Sequence, residues 1–244
     1  MKTTSNNDKI YIGKRAGTGT GLLRDIKDAG KSVKIVSPYL SASYLGELVN
    51  LSKKGVKITL ITADELREDE YGYSDFKHTD IIKQKRIENP EAKIKKRKLR
   101  ILSITLFLIA FIMILSSILF SGLIYLSVFL VFIGIIVLVY GYFIKEHRFE
   151  YYCIFRLKVF DSSSGKNPRS KELIHSKIFV IDEKTAYLGS ANFTYSGFNT
   201  HYETLIKIEN QKAVSDISQE VENLYNSTEL SSKSIDEWGK EIYE

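Results

Sequence analysis

The sequence predicts a layered α/β fold with a partly parallel sheet, interrupted by a two-helix hairpin built for a membrane. Three observations carry this reading. The first 62 residues alternate strand, helix, strand, helix, strand. Residues 101–144 hold no Asp, Glu, Lys, Arg or His, a run of roughly 44 residues where one spanning helix needs about 20. Beyond residue 150 the chain returns to short segments rich in aromatic and β-branched residues, which favour strands.

Taken in order, the polar residues 1–8 are expected to be disordered, and no apolar run follows them that would make a signal peptide. Lys9–Gly13 reads as a short strand. The Gly/Thr-rich turn at 17–21 opens a helix over Gly21–Gly30, with Leu22, Leu23 and Ile26 on one face. That turn has no further nucleotide-binding signature and reads as a loop. Val33–Ser37 is a strand stopped by Pro38, residues 41–55 form a helix closed by Gly55, and Val56–Thr62 is the next strand. Phe76–Asn89 reads as a polar helix that Pro90 ends or kinks, with His78 on its surface.

The apolar run fits two helices joined by a tight turn at Gly122. Ser103, Ala110 and Ser117 recur at every seventh position, as do Ser127, Gly134 and Gly141. Folded about Gly122, these small residues would pair as Ser117 with Ser127, Ala110 with Gly134 and Ser103 with Gly141, allowing close helix approach. Basic residues flank both ends, in Lys93–Arg100 before the run and at Lys145 and Arg148 after it. Such residues mark the cytoplasmic side and attract anionic lipid. Two spans return the chain to its starting side. The predicted organisation is therefore a cell-membrane protein with both termini cytoplasmic. Residues 1–100 and 145–244 then form one domain, and 101–144 are an insertion.

In the last third, Glu150–Phe160 reads as one strand, and Asp161–Leu173 as a polar loop carrying Lys166, Arg169 and Lys171 toward a following strand. Thr185–Leu188 and Tyr202–Ile208 are further strands, Asn210–Tyr225 is an amphipathic helix, and Trp238 falls in a short terminal segment. The net charge of +6 and pI near 9.1 suit an anionic partner, either nucleic acid or phospholipid headgroups. Cys153 is the single cysteine, which excludes an intrachain disulfide and a cysteine metal cluster.

The chemistry concentrates in HSKIFVIDEKTAYLGSAN, His175–Asn192. Ile178–Ile181 reads as a strand, so His175 and Lys177 share one face and Asp182 points to the other. An imidazole beside an ammonium suits a phosphodiester: one supplies a nucleophile or proton carrier, the other a charge for phosphate oxygens. Gly189, Ser190 and Asn192 follow a turn, where backbone N–H groups and a carboxamide could approach an anion. Six residues fixed at about one in twenty each recur by chance about once in 10⁷–10⁸ positions.

This spacing, His-x-Lys, then Asp, then Gly-Ser-x-Asn, resembles the HKD signature of the phospholipase D superfamily, and KSVKIVSPYLS through LSKKGVKITLIT is similar to the family's N-terminal half. The resemblance implies a layered α/β/α domain with a mixed sheet. It assigns His175 as nucleophile, Lys177 and Asn192 as phosphate ligands, Asp182, Gly189 and Ser190 as structural members of the motif, and Glu203 as the carboxylate that orients the histidine. Lys166 and Arg169 would stand at the mouth of the site. Where the family places Asn two residues before that glutamate, this chain has His201. No cofactor and no metal is implied. Members with one such motif pair two copies across a homodimer, so a shared active site is expected. The implied activity is hydrolysis of phospholipid headgroup phosphodiesters at the bilayer through a phosphohistidine. The alternatives are nucleic-acid cleavage by the same chemistry and a catalytically silent membrane scaffold.

Overall fold

The computed structural model describes residues 2–3, 9–14, 19–64, 79, 81–161 and 174–243. Its first elements are β1 (Lys2–Thr3), β2 (Lys9–Lys14), α1 (Gly19–Lys27), β3 (Ser32–Val36), α2 (Ala42–Lys53), β4 (Lys57–Ala63) and β5 (Ile82–Glu88). Two long helices follow, α3 (Pro90–Ser116) and α4 (Leu123–Tyr142). The chain continues through β6 (His147–Cys153), β7 (Arg156–Phe160), β8 (Ile178–Ile181), β9 (Thr185–Gly189), α5 (Tyr195–Asn199), β10 (Tyr202–Ile208), α6 (Gln211–Asn226), β11 (Ser232–Lys233) and α7 (Ile235–Tyr243).

The chain forms two compact units, Met1–Gln84 with Tyr151–Glu244, and Lys85–Glu150. In the first, nine strands order as β1-β2-β10-β9-β8-β3-β4-β7-β11. β3, β4 and β7 run parallel, with α2 as the crossover that parallel neighbours require. From β8 to β2 every pairing is antiparallel, and β8 is the central strand. The sheet is mixed, as the alternating strand and helix pattern predicts.

Both faces of this sheet are covered, so its central strands are apolar on both sides. Phe179 and Ile181 of β8 join Leu22 and Ile26 of α1 and Leu45 and Leu48 of α2 in one core. Val180, between them, joins Val214 and Val221 of α6 in the other. The period-two alternation of strand side chains thus feeds two separate apolar layers from four consecutive residues. Tyr44, Phe179, Phe193 and Phe198 interlock in the first core with ring centroids 5.1–6.2 Å apart.

Several readings are corrected, the first being Lys2–Thr3, expected to be disordered, which pairs with β2 as β1. Residues 82–88 are a strand, β5, that pairs with β6 in a two-stranded sheet, where a polar helix was predicted. Pro90 does not end a helix but begins one: it stands in the first turn of α3, where its missing N–H costs nothing, and Asn89 caps that turn by accepting from Ala92 N at 3.1 Å. Glu150–Phe160 is not one strand. It bends at Ile154–Phe155, leaving β6 in the small sheet and β7 in the large one.

In the second unit, α3 and α4 are 27 and 20 residues long, and both are long and apolar enough to cross a membrane. Ser103, Ala110, Ser127, Gly134 and Gly141 are buried between them, as close packing of small residues requires. The register differs from the symmetric one by about a helical turn. Ser103 Oγ donates to Gly134 O at 3.0 Å, Gly134 faces Phe107, and Gly141 faces Leu99. The cause is the turn, which occupies Ser117–Gly122 with Gly122 as the α4 N-cap, so the fold centre falls before Gly122.

Candidate active site

β8 begins one residue after Lys177, and the residues just before it carry the site. His175 is exposed, whereas Lys177 is buried, with 6% of its surface exposed. The Lys177 ammonium folds back onto the histidine. Its Nζ donates to His175 O at 2.8 Å and lies 3.2 and 3.3 Å from ring nitrogens Nδ1 and Nε2. Burial pushes the Lys177 pKa down, and the Glu203 carboxylate opposes this. A compact positive charge, poorly hydrated and beside an exposed imidazole, has the chemistry that suits an anionic oxygen.

Glu203 comes from β10 and is buried, with 7% of its surface exposed. Ser190 Oγ donates to Glu203 Oε2 and accepts from Thr204 N at 3.0 Å, while Ser190 N donates to Thr204 O at 2.9 Å. One hydroxyl therefore fixes the carboxylate and ties the end of β9 to β10. His201 is 62% exposed, with Nδ1 3.7 Å from Glu203 Oε1. The structure so brings His175, Lys177, Ser190, His201 and Glu203 together from three segments.

At Gly189 the geometry is that of a close contact between strands. A Cβ there would meet Thr204 O at 1.9 Å, and the Gly189 N–H is turned toward Lys177 O at 3.4 Å. The backbone donors of Gly189 and Ser190 are engaged within the sheet. The glycine is required by the close approach of β10, not by an anion.

Asn192 follows on the same turn, and its Oδ1 is buried without a hydrogen-bond partner among the described residues. Buried polar atoms ordinarily find a partner. A half-turn of the carboxamide would present Nδ2 in the same place. The backbone around Asn192 is held by several hydrogen bonds. Ser37 Oγ accepts from Phe193 N at 2.9 Å and donates to Tyr39 O at 2.7 Å. Ser41 Oγ accepts from Tyr195 N at 2.8 Å, and Ser41 N donates to Phe193 O at 3.0 Å. At Gly197 a Cβ would meet Asn192 O at 2.5 Å. Ser37 and Ser41 thus hold the backbone that follows Asn192, and neither belongs to the His175–Asn192 motif. Their signal was available: loops after parallel strands line sites in such sheets, and SPYLS follows β3 directly.

Asp182 lies apart from these groups. At φ 55° it turns out of β8, and its carboxylate accepts from Gly30 N at 3.0 Å, Lys31 N at 2.7 Å and Ser32 N at 2.9 Å. Burial would raise its pKa, but the three donors together hold it below the usual aspartate range. It locks the entry of β3 to the exit of β8. Lys166 and Arg169 lie outside the described residues, as does His78. Among the described residues no three His, Cys, Asp or Glu side chains gather as a metal site.

Residues 145–225 match the family described as cardiolipin synthase, PLD-like domain. Over those residues the chain is similar to a phospholipase D-like domain, and the fold as described is a mixed α/β one interrupted by two helices apolar enough to cross a membrane. No curated protein matches it. Among solved structures it is similar to NucT from Helicobacter pylori, at 15% identity and TM-score 0.47 over 93% of this chain and 98% of that one. It is also similar to Nuc from Salmonella typhimurium, a phospholipase D family member, at 13% identity and TM-score 0.43 over 93% of this chain and 98% of that one. Phosphatidylserine synthase from Haemophilus influenzae aligns at 13% identity and TM-score 0.46 over 96% of this chain and 41% of the synthase.

Proposed function

We propose that the protein is a membrane-anchored phosphodiesterase that hydrolyses phospholipid headgroup phosphodiesters as a homodimer. The observation that carries this is the conjunction, on one chain, of an exposed His175 against the buried Lys177 ammonium with a hairpin long enough to anchor that site beside lipid. Tethering raises the local concentration of a bilayer substrate and does nothing comparable for a soluble one.

In the first step a neutral His175 nitrogen attacks phosphorus. The bond from phosphorus to the leaving alcohol breaks, and a cationic imidazole, His175 of the partner subunit, gives that oxygen its proton. In the second step the same imidazole takes a proton from water as the water oxygen attacks phosphorus, and the phosphorus–nitrogen bond breaks. Charge on the equatorial oxygens is met by Lys177 and the Asn192 carboxamide, with Glu203 holding the site's cationic groups. EDTA is expected to leave the rate unchanged, because these side chains supply the charge a metal would. Lys166 and Arg169 would draw the anionic headgroup inward.

The test incubates the purified full chain with headgroup-labelled liposomes and, separately, with labelled single-stranded DNA. Headgroup release that His175→Ala lowers by at least about 10³-fold is expected. Nucleotide release without headgroup release would move the same chemistry to nucleic acid, the partner that the net charge of +6 also suits. Activity on neither would leave the membrane scaffold.

A further inference from the structure

The hairpin unit holds a groove between α3 and α4 at its charged end, about 260 Å³ in volume and lined by Lys96, Arg100, Val137, Leu138, Gly141 and Tyr142. Its two walls differ in chemistry. On α3, Lys96 and Arg100 are one turn apart and project on the same side. On α4, Val137, Leu138 and Gly141 give an apolar wall that ends at Tyr142, an aromatic side chain of the kind enriched at membrane surfaces.

Two details show that the groove is open by construction. At Gly134 a Cβ would meet Phe107 at 2.7 Å, so glycine there is required by helix contact. At Gly141 a Cβ would meet Leu99 at an ordinary 3.5 Å, so its absence leaves space instead of relieving a clash. The cations also differ. Lys96 is held by Glu146 at 2.8 Å, while the Arg100 guanidinium makes no hydrogen bond or ion pair with any described residue. An arginine with five free donors matches a phosphate in a bidentate fork, and Lys96 adds a second, pre-oriented charge.

The geometry points to a binding site for one anionic phospholipid. Arg100 and Lys96 take the phosphate, and the upper part of an acyl chain lies along Val137, Leu138 and Gly141. The groove's chemistry commits to this occupant. Free phosphate would leave the apolar wall bare, and a choline headgroup would bring its own cation to two others. Because it rests on the hairpin lying in a bilayer, the inference shares that part of the proposed function, but it concerns a resident lipid and not the substrate at His175.

The full chain is extracted into nanodiscs of equal phosphatidylglycerol and phosphatidylcholine, and its retained lipid is read by native mass spectrometry. One phosphatidylglycerol per chain is expected, undisplaced by excess inorganic phosphate. Arg100→Gln and Lys96→Gln should each lower retention about tenfold, whereas Lys98→Gln should not. Lys98 makes the same charge change from a position that does not face the groove. Equal loss in Lys98→Gln, equal retention of phosphatidylcholine, or displacement by phosphate would each overturn the site. Release of the wild-type chain from membranes by alkaline carbonate would overturn the membrane reading and the groove with it. A retained chain with no bound lipid overturns the groove alone.

Discussion

Lys177 is the residue through which pH should act on this site. Its pKa is pushed down by burial and partly restored by Glu203. If the ammonium is the form that meets phosphate charge, activity is lost as pH rises through that lowered pKa. The alkaline limb of kcat/KM is then expected below the ordinary lysine range, about pH 10.4. Glu203→Gln removes the carboxylate that favours the ammonium, so the limb should move to lower pH while the plateau falls about 10- to 100-fold. Lys177→Arg should abolish the limb, because a guanidinium does not titrate there, at a lowered rate. A limb unchanged in both variants would assign it to another group. Asp182 behaves in the opposite sense. Asp182→Ala strands the N–H groups of Gly30, Lys31 and Ser32 and should destabilise the unit by about 2–3 kcal/mol at neutral pH. The carboxylate's folded pKa is depressed, so its contribution is present above the unfolded value and is lost as pH falls through the folded one. The gap between variant and wild type should therefore persist to about pH 4 and close only below it. Trp238, the single tryptophan and buried in the α1/α2 core, reports this unfolding by fluorescence.

At the scale of elements, what could be read from sequence and what could not divide by how local the cause is. The apolar run of β8, the crossover α2 and the uncharged hairpin follow from patterning, and the structure has them with boundaries shifted by a few residues. The readings that failed depend on partners far along the chain. IKQKRIE is rich in good helix formers, yet pairing with β6 makes it a strand. Ile154–Phe155 holds neither Gly nor Pro, so nothing local marks the bend between two sheets. Pro90 is legible locally: Asn-Pro-Glu is a helix start, since proline breaks a helix only from inside it. At the candidate site the motif's spacing points to particular side chains, whereas the reason for a glycine at 189 lies in the distant β10. Gly189→Ala is accordingly expected to separate β9 from β10 and displace Ser190 and Glu203 together. Headgroup release should vanish, while the hairpin, in the other unit, keeps the chain in the membrane fraction. Wild-type activity in a folded Gly189→Ala protein would contradict the contact with Thr204 O.

For the whole molecule, the hairpin and the single HxK motif bear on membrane sidedness and on copy number. Ser121 lies in the hairpin turn, so Ser121→Cys should react with an impermeant maleimide added outside intact cells, and Ser227→Cys should not. Cys153 gives little background, since burial pushes its thiol up to about 11 and little thiolate forms near neutral pH. Copy number follows from the chemistry. The two steps need one imidazole neutral and one protonated, and the single HxK motif supplies one per chain. His201 stands with Nδ1 3.7 Å from the Glu203 carboxylate and its side chain 62% exposed, whereas His175 lies against the buried Lys177 ammonium. The second imidazole is therefore expected from another copy. When wild-type and His175→Ala chains are co-expressed equally and reassort at random, about a quarter of the dimers carry two intact histidines. If both are needed at one shared site, activity per chain falls to about a quarter of wild type. If each chain works alone, it falls to about half. A value of half, or full activity in a monomer isolated by size, would assign the proton to His201 or to solvent, and His201→Ala in the wild-type background then separates those two.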